Sequence, residues 1–346
     1  MAYTTIDNPE LHFQVKTYSG DGSAQSITLD GDEDMQPDFI WGKRRNSSAA
    51  HELYDSVRGT TKYLISNSTA AEDTNTNGIS ASNSDGFTLA GNSSINNGTI
   101  VAWCWKAGGS ASSDSNGSIT SSVSANTTAG FSIVSYTGNE TAGATVGHGL
   151  GAVPQTYWVK SRSVADGWRI YHHKVASDPE TDYLVLNNNN ANADSHGYWN
   201  DTAPTSSVFS LGPAGEVNTN SSTNIAYCFT EIKGYSKIGK YVGNANADGP
   251  FVYTGFKPAW LMVKGDRADG WQIMDNKREG YNVISPRLLA NDTASEYTNL
   301  TNCDFLSNGF KVRSNDSHMN YAEDYFYIAF AESPFVNSNG IPNNAR

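Results

Sequence analysis

The chain repeats itself. VADGWRIYHH (164–173) and RADGWQIMDN (267–276) share Ala-Asp-Gly-Trp, and the two tryptophans, Trp168 and Trp271, stand 103 residues apart. The likeness extends upstream, pairing VPQTYWVKSR (153–162) with KPAWLMVKGD (257–266), and FSIVSYTGN (131–139) with SKIGKYVGN (236–244). Register holds along this stretch: Lys160 and Lys264 are 104 residues apart, Tyr136 and Tyr241 105. A period of that length marks a repeated structural unit. A more diverged copy leads the chain, with FQVKTYSGDG (13–22) and QPDFIWGKRR (36–45) placing Lys43 opposite Lys160. That copy lacks Asp-Gly-Trp and carries HELYDSVRG (51–59) instead. The copies end alike in TIVAWCWKAGG (99–109), NIAYCFTEIKG (224–234) and YIAFAESPF (327–335), aligned here on Ala102, Ala226 and Ala329.

Within each copy the apolar segments are short, β-branched or aromatic, and bounded by Gly, Asn, Asp or Pro, which reads as strands and turns. No window carries a helical apolar stripe over three turns. The chain is therefore expected to be all-β, with three tandem, related antiparallel β-sandwich domains: 1–109, 131–234 and 235–346. Residues 110–130, rich in Ser, Gly and Asn, are expected to link the first two. Asp-Gly reads as a tight turn, and the tryptophan after it as an inward aromatic.

Composition excludes several functions. With 23 basic against 35 acidic residues, a net charge of −12 and no basic stripe, a nucleic-acid partner is not expected. No apolar run reaches the length of a membrane span, and MAYTTIDNPE has no signal-peptide pattern. Cys104, Cys228 and Cys303 form no CxxC pair and read as small buried thiols.

Catalytic signatures are equally sparse. His51 in HELYD lacks the second histidine of a zinc-protease helix. His172 and His173 are adjacent, so on a strand they face opposite ways. His148, in VGHGLG, reads as a turn histidine; the glycines around it lack the Lys-Ser/Thr of a phosphate loop. No pair of carboxylates has the spacing of a glycoside hydrolase strand. Gly31-Asp32-Glu33-Asp34 reads as a solvated loop, with a weak calcium site as its alternative. No enzyme activity and no cofactor are expected.

The segments at 131–139, 146–155, 157–162, 166–171, 184–189, 227–244, 249–260 and 307–313 resemble, in order, a repeat domain of uncharacterised bacteriophage virion proteins common among phages of marine bacteria. The stretch from PDFIWGKRR to VAWCWKAGG resembles their leading copy. The resemblance implies a structural virion protein, a sandwich akin to lectin-like jelly rolls, and no catalytic residues. Two roles fit it. One is a tail-fibre or tail-tip protein that contacts host-surface glycans. The other is a capsid decoration or head-fibre protein. Other virion proteins are the expected partners, with a homo-oligomer, first of all a trimer. Localisation in the virion follows, after assembly in the host cytoplasm. The aromatics weighed as glycan or partner contacts are Trp168, Tyr171, Tyr198, Trp199, Trp271 and Tyr281. Each also has a packing reading, and the loop 187–201 is the polar stretch of most interest.

Overall fold

The computed structural model describes residues 3–343. It is nearly all β, and each copy builds one large and one small antiparallel sheet. The large sheets share one strand order. In the first copy it runs Phe13–Asp21, Asn97–Trp105, Phe39–Arg44, His51–Asp55, Lys62–Ile65. The second runs Phe131–Thr137, Thr223–Phe229, Thr156–Ser161, Arg169–His172, Asp182–Val185. The third runs Ser236–Val242, Asp324–Pro334, Phe256–Gly265, Gln272–Asp275, Leu288–Leu289. The last strand of each copy thus inserts between its first two principal strands.

Register fixes the equivalences. Lys43, Lys160 and Lys264 sit opposite Val101, Ile225 and Phe326. On that basis Trp103, Tyr227 and Ile328 share one position, and Ala102 and Ala226 correspond to Tyr327. The alignment on Ala329 is corrected by two residues. Small and aromatic residues alternate along this strand, so a two-residue slip keeps the same faces and goes unnoticed in sequence.

The segment 110–130 is no linker. Ser112–Asp114 and Ser121–Asn126 pair with each other, and the latter pairs with Phe131–Thr137, extending the second large sheet by two strands. Serine and asparagine serve here at a sheet edge, where side chains are exposed on one face.

Each large sheet buries both faces. One face packs on the copy's own small sheet, giving three separate clusters of apolar residues. The other face turns inward to a single cluster fed by all three copies, including Phe39, Trp41, Trp103 and Trp105, then Phe131, Trp158 and Tyr227, then Trp260, Ile328 and Phe330. Double burial explains why Thr156–Ser161 is buried at every position rather than at alternate ones. The shared centre is aromatic: Trp105 lies 5.5 Å from Trp260 at 89°, and Trp41 lies 5.9 Å from Trp158 at 83°. Edge-to-face contacts of this kind add to the area they bury.

Trp105 touches Phe13 and Phe39 of its own copy and Trp260 and Phe330 of the third. Trp105→Ala is expected to cost about 3–5 kcal/mol in urea unfolding of the whole chain. A loss below about 1 kcal/mol would place this ring outside the core.

Candidate functional site

Five of the six aromatics weighed as contacts are buried, which corrects their reading as a binding surface. Trp168 and Trp199 are fully buried, and Trp271, Tyr171 and Tyr198 are nearly so. Trp199 and Tyr198 lie in the one-turn helix His196–Trp199. The Trp199 indole donates to Asp182 O (3.0 Å), and Tyr198 sits under the Arg169 guanidinium at 4.8 Å. The polar loop 187–201 thus ends in packing residues because its aromatics fold back under the second sandwich. Tyr171 stacks on Tyr157 in the same cluster. Only Tyr281, at 74% exposure, faces solvent.

Trp168 and Trp271 have a common task. The Trp168 indole donates to Ile65 O of the first copy (2.9 Å), and Trp271 to Val185 O of the second (2.8 Å). Ile65 and Val185 are equivalent by register, as is Leu289 of the third copy. His51 stands at the tryptophan position of the first copy and brings its ring to the Leu289 carbonyl, without a well-formed hydrogen bond. The three backbone amides at this position donate to Asn67, Asn187 and Asn291 at 2.9, 2.7 and 2.8 Å. HELYD is therefore the first copy's form of Asp-Gly-Trp, and a ring of inter-copy contacts closes on itself.

The titratable residues of the interior serve the same seams. Asp55 and Asp275 hold Arg58 and Arg278 at 2.5 and 2.6 Å, with all four side chains buried. Asp55 also accepts from Tyr227 of the second copy (2.7 Å), and Asp275 from Trp103 of the first (2.9 Å). Alongside them Arg162 grips Glu72, and Arg45 grips Glu296, each through two nitrogens. The third seam lacks this set. Its donor position is Ile328, its Asp and Arg positions are His172 and Val175, and its outer Arg and Glu positions are Asp266 and Asn192. Burial drives the His172 imidazole down to about 3, so the ring is neutral. His148 caps its own turn, accepting from Leu150 N (3.2 Å).

Lys43, Lys160 and Lys264 are fully buried. Each ammonium bonds the next residue's carbonyl, and Lys43 and Lys160 also reach a neighbouring copy, at Ala294 O (2.9 Å) and Thr69 O (3.3 Å). Burial pushes each down to about 8. The three cysteines are free and buried, and burial pushes their thiols up. Among the described residues no group of three or more His, Cys, Asp or Glu side chains is placed to hold a metal ion, and no helix is long and apolar enough to cross a membrane.

Among the described residues, the exposed aromatics all lie in the third copy. Its small sheet is made of Phe251–Tyr253, Gly309–Val312 and Cys303–Leu306. Alternation sends Val252, Phe310 and Phe305 inward. Phe251 and Tyr253 point out, 46% and 54% exposed. Leu306 shares a row with Gly309 and Tyr253, and Asp304 with Lys311 and Phe251. Gly309 is required: a Cβ there would lie 2.1 Å from Val252 O and 3.1 Å from the Phe251 ring, which lies against this strand. At the position of Phe251 the other copies carry Ser26 and Thr145, and at that of Tyr253 they carry Thr28 and Gly147.

The rim is polar, and three of its cations are paired. Lys311 bonds Asp248 (2.7 Å) and Gly249 O (2.8 Å), and its ammonium holds the Asp248 carboxyl below its ordinary value. Arg313 faces Asp304 at 3.5 Å, and Lys257 bonds Glu332 at 2.9 Å. Tyr253 is held from behind: its hydroxyl meets that of Tyr3 at 2.9 Å, and Tyr3 donates to Gly255 O. Beyond Leu306 a groove of about 560 Å³ runs between Lys257, Glu332, Asn282 and Phe305. Sequence reasoning passed over Phe251 and Tyr253; aligning GPFVYTGF against the small residues at the same positions of the other copies would have shown them.

The family description "Domain of unknown function (DUF7483)" matches residues 8–334, and the chain belongs to that family. No curated protein and no solved structure matches it.

Two outcomes follow for the seams. Arg278→Met leaves the Asp275 carboxylate buried without its cation and is expected to cost about 3–5 kcal/mol by chemical denaturation, against about zero if the pair is incidental. The buried lysines set a pH dependence. The unfolded chain, with lysines near 10.4, binds more protons than the folded one above about pH 8, so stability rises with pH there. Cysteines and tyrosines act oppositely, since their folded values are raised and the unfolded thiols ionise near 8.5. Urea midpoints should therefore climb from about pH 7.5 to a maximum near about pH 9, and Lys160→Met should flatten the climb. A midpoint falling steadily over that range would contradict the assignment.

Proposed function

We propose that this member of a family of unknown function is a non-catalytic structural protein on the surface of a bacteriophage particle, set in the tail-fibre or tail-tip apparatus where the particle meets its host. One observation carries the reading: the third copy exposes Phe251 and Tyr253 on a sheet face where its sister copies place serine, threonine or glycine. Two neighbouring exposed aromatics on an ordered strand form a small apolar patch of the kind that a partner or ligand covers. The polar side chains of the interior are enclosed in the seams, where Asp55, Asp275, Arg45, Arg162 and Lys43 bond neighbouring copies. The phage assignment rests on the sequence resemblance, extended by a closed scaffold suited to presenting one face rigidly. Other virion proteins are its partners in this reading, and a homotrimer is the first assembly to test.

Immunogold labelling of phage particles that encode this chain tests the proposal. Gold at the tail or its appendages is the expected result. Gold confined to the icosahedral shell would make the chain a decoration protein, and particles without gold would overturn the virion assignment.

A further inference from the structure

We infer that the outer face of the third small sheet is a binding site for an uncharged glycan, with Phe251 and Tyr253 as stacking rings. The inference deepens the attachment reading and rests on it for its biological setting. Its chemistry stands on four observations.

The first is the form of the surface. The Phe251 ring lies against the strand of Gly309, and Tyr253 is fixed through its hydroxyl to Tyr3, itself under the Lys233 ammonium at 4.4 Å. Two residues apart on one strand, the two side chains leave the backbone roughly 6–7 Å apart on the same face, and the Phe251 ring leans over Gly309, the row partner of Tyr253. A pyranose ring presents a patch of C–H groups that stacks on such a face, while its hydroxyls project sideways to polar neighbours. Rigid aromatics of this kind bind at low entropic cost.

The second is charge. Lys311, Arg313 and Lys257 each have a carboxylate partner, and the Lys233 ammonium lies over the Tyr3 ring, so the cations beside the patch are already engaged rather than aimed at a phosphate, sulfate or uronate. The ligand it complements carries hydroxyls and no net charge.

The third is area. A large aromatic side chain buries about 150–250 Å² when fully covered. Phe251 and Tyr253 are each about half covered already, so together they offer roughly 200 Å². A stable protein interface needs about 800 Å² on each partner. The patch fits a few sugar rings, with the groove beside Leu306, Asn282 and Glu332 as an adjoining subsite.

The fourth is the internal control. Ser26 and Thr145 occupy the Phe251 position on the same sheet in the other copies, so only the third copy should bind.

The test is isothermal titration of the full chain with hexasaccharides of glucose, galactose, mannose and N-acetylglucosamine, followed by labelling of the phage's host cells with fluorescent chain. Binding of at least one neutral hexasaccharide is expected, weakened tenfold or more by Phe251→Ala or Tyr253→Ala, largely kept by Phe251→Tyr, and unchanged by Ser26→Ala. Equal melting temperatures would show that the exposed variants fold. Periodate treatment of the cells, which cleaves vicinal diols, should abolish labelling, while protease treatment should leave it. Absence of binding to every neutral hexasaccharide together with protease-sensitive labelling would overturn the glycan assignment and leave attachment standing, with a protein as receptor. Binding unaffected by either alanine variant would overturn the site. Neutral-glycan binding by a chain located on the capsid shell would retain the site and overturn the attachment reading alone.

Discussion

Every large sheet in this molecule has two apolar faces and only one small sheet of its own to cover them. The uncovered faces meet at a common centre, where Trp41, Trp103, Trp105, Trp158 and Trp260 pack with Phe39, Tyr227 and Phe330. A single copy would leave this surface in water, at about 25 cal/mol for each Å² of apolar area. Three copies covering one another remove that cost, and the rest of the architecture follows from it: the repeat number, the close apposition of the copies, and the polar seams between them.

Those seams show how buried polar groups co-vary. Where Trp103 or Tyr227 supplies a donor, the facing position is aspartate, backed by arginine. Where Ile328 replaces the donor, aspartate and arginine have given way to His172 and Val175. A carboxylate there would lack its partner and carry the full desolvation penalty, which exceeds what a satisfied bond contributes. The second and third copies depart together at this seam, and the third departs again on its outer face. The second departure leaves internal packing untouched and alters only what solvent, or a ligand, encounters.

Much of the fold was legible in the sequence. Repeat register, strand character and the all-β class follow from spacing and from turn residues, and the Asp-Gly-Trp tryptophans read correctly as inward-facing. The shared centre was not legible, because a segment such as TYWVKSR, buried on both faces, shows no alternation to say which neighbour covers which side. Residues 110–130 misled because edge strands tolerate the serine and asparagine that also make linkers. The candidate contacts misled for a different reason: tryptophan and tyrosine serve packing and stacking equally well, and only burial separates Trp199 from Phe251. Phe251 and Tyr253 needed the comparison among copies, since aromatic residues on a strand are ordinary until sister positions prove to be serine, threonine or glycine.

The proposed binding face, held by three mutually covering sandwiches, is as rigid as the centre that joins them, so the functional reading leans on the shared core. Differential scanning calorimetry of the full chain tests it most directly. One transition, with calorimetric and van't Hoff enthalpies that agree, is the predicted result. Two or three resolved transitions would show sandwiches that melt independently, and would contradict a core held in common.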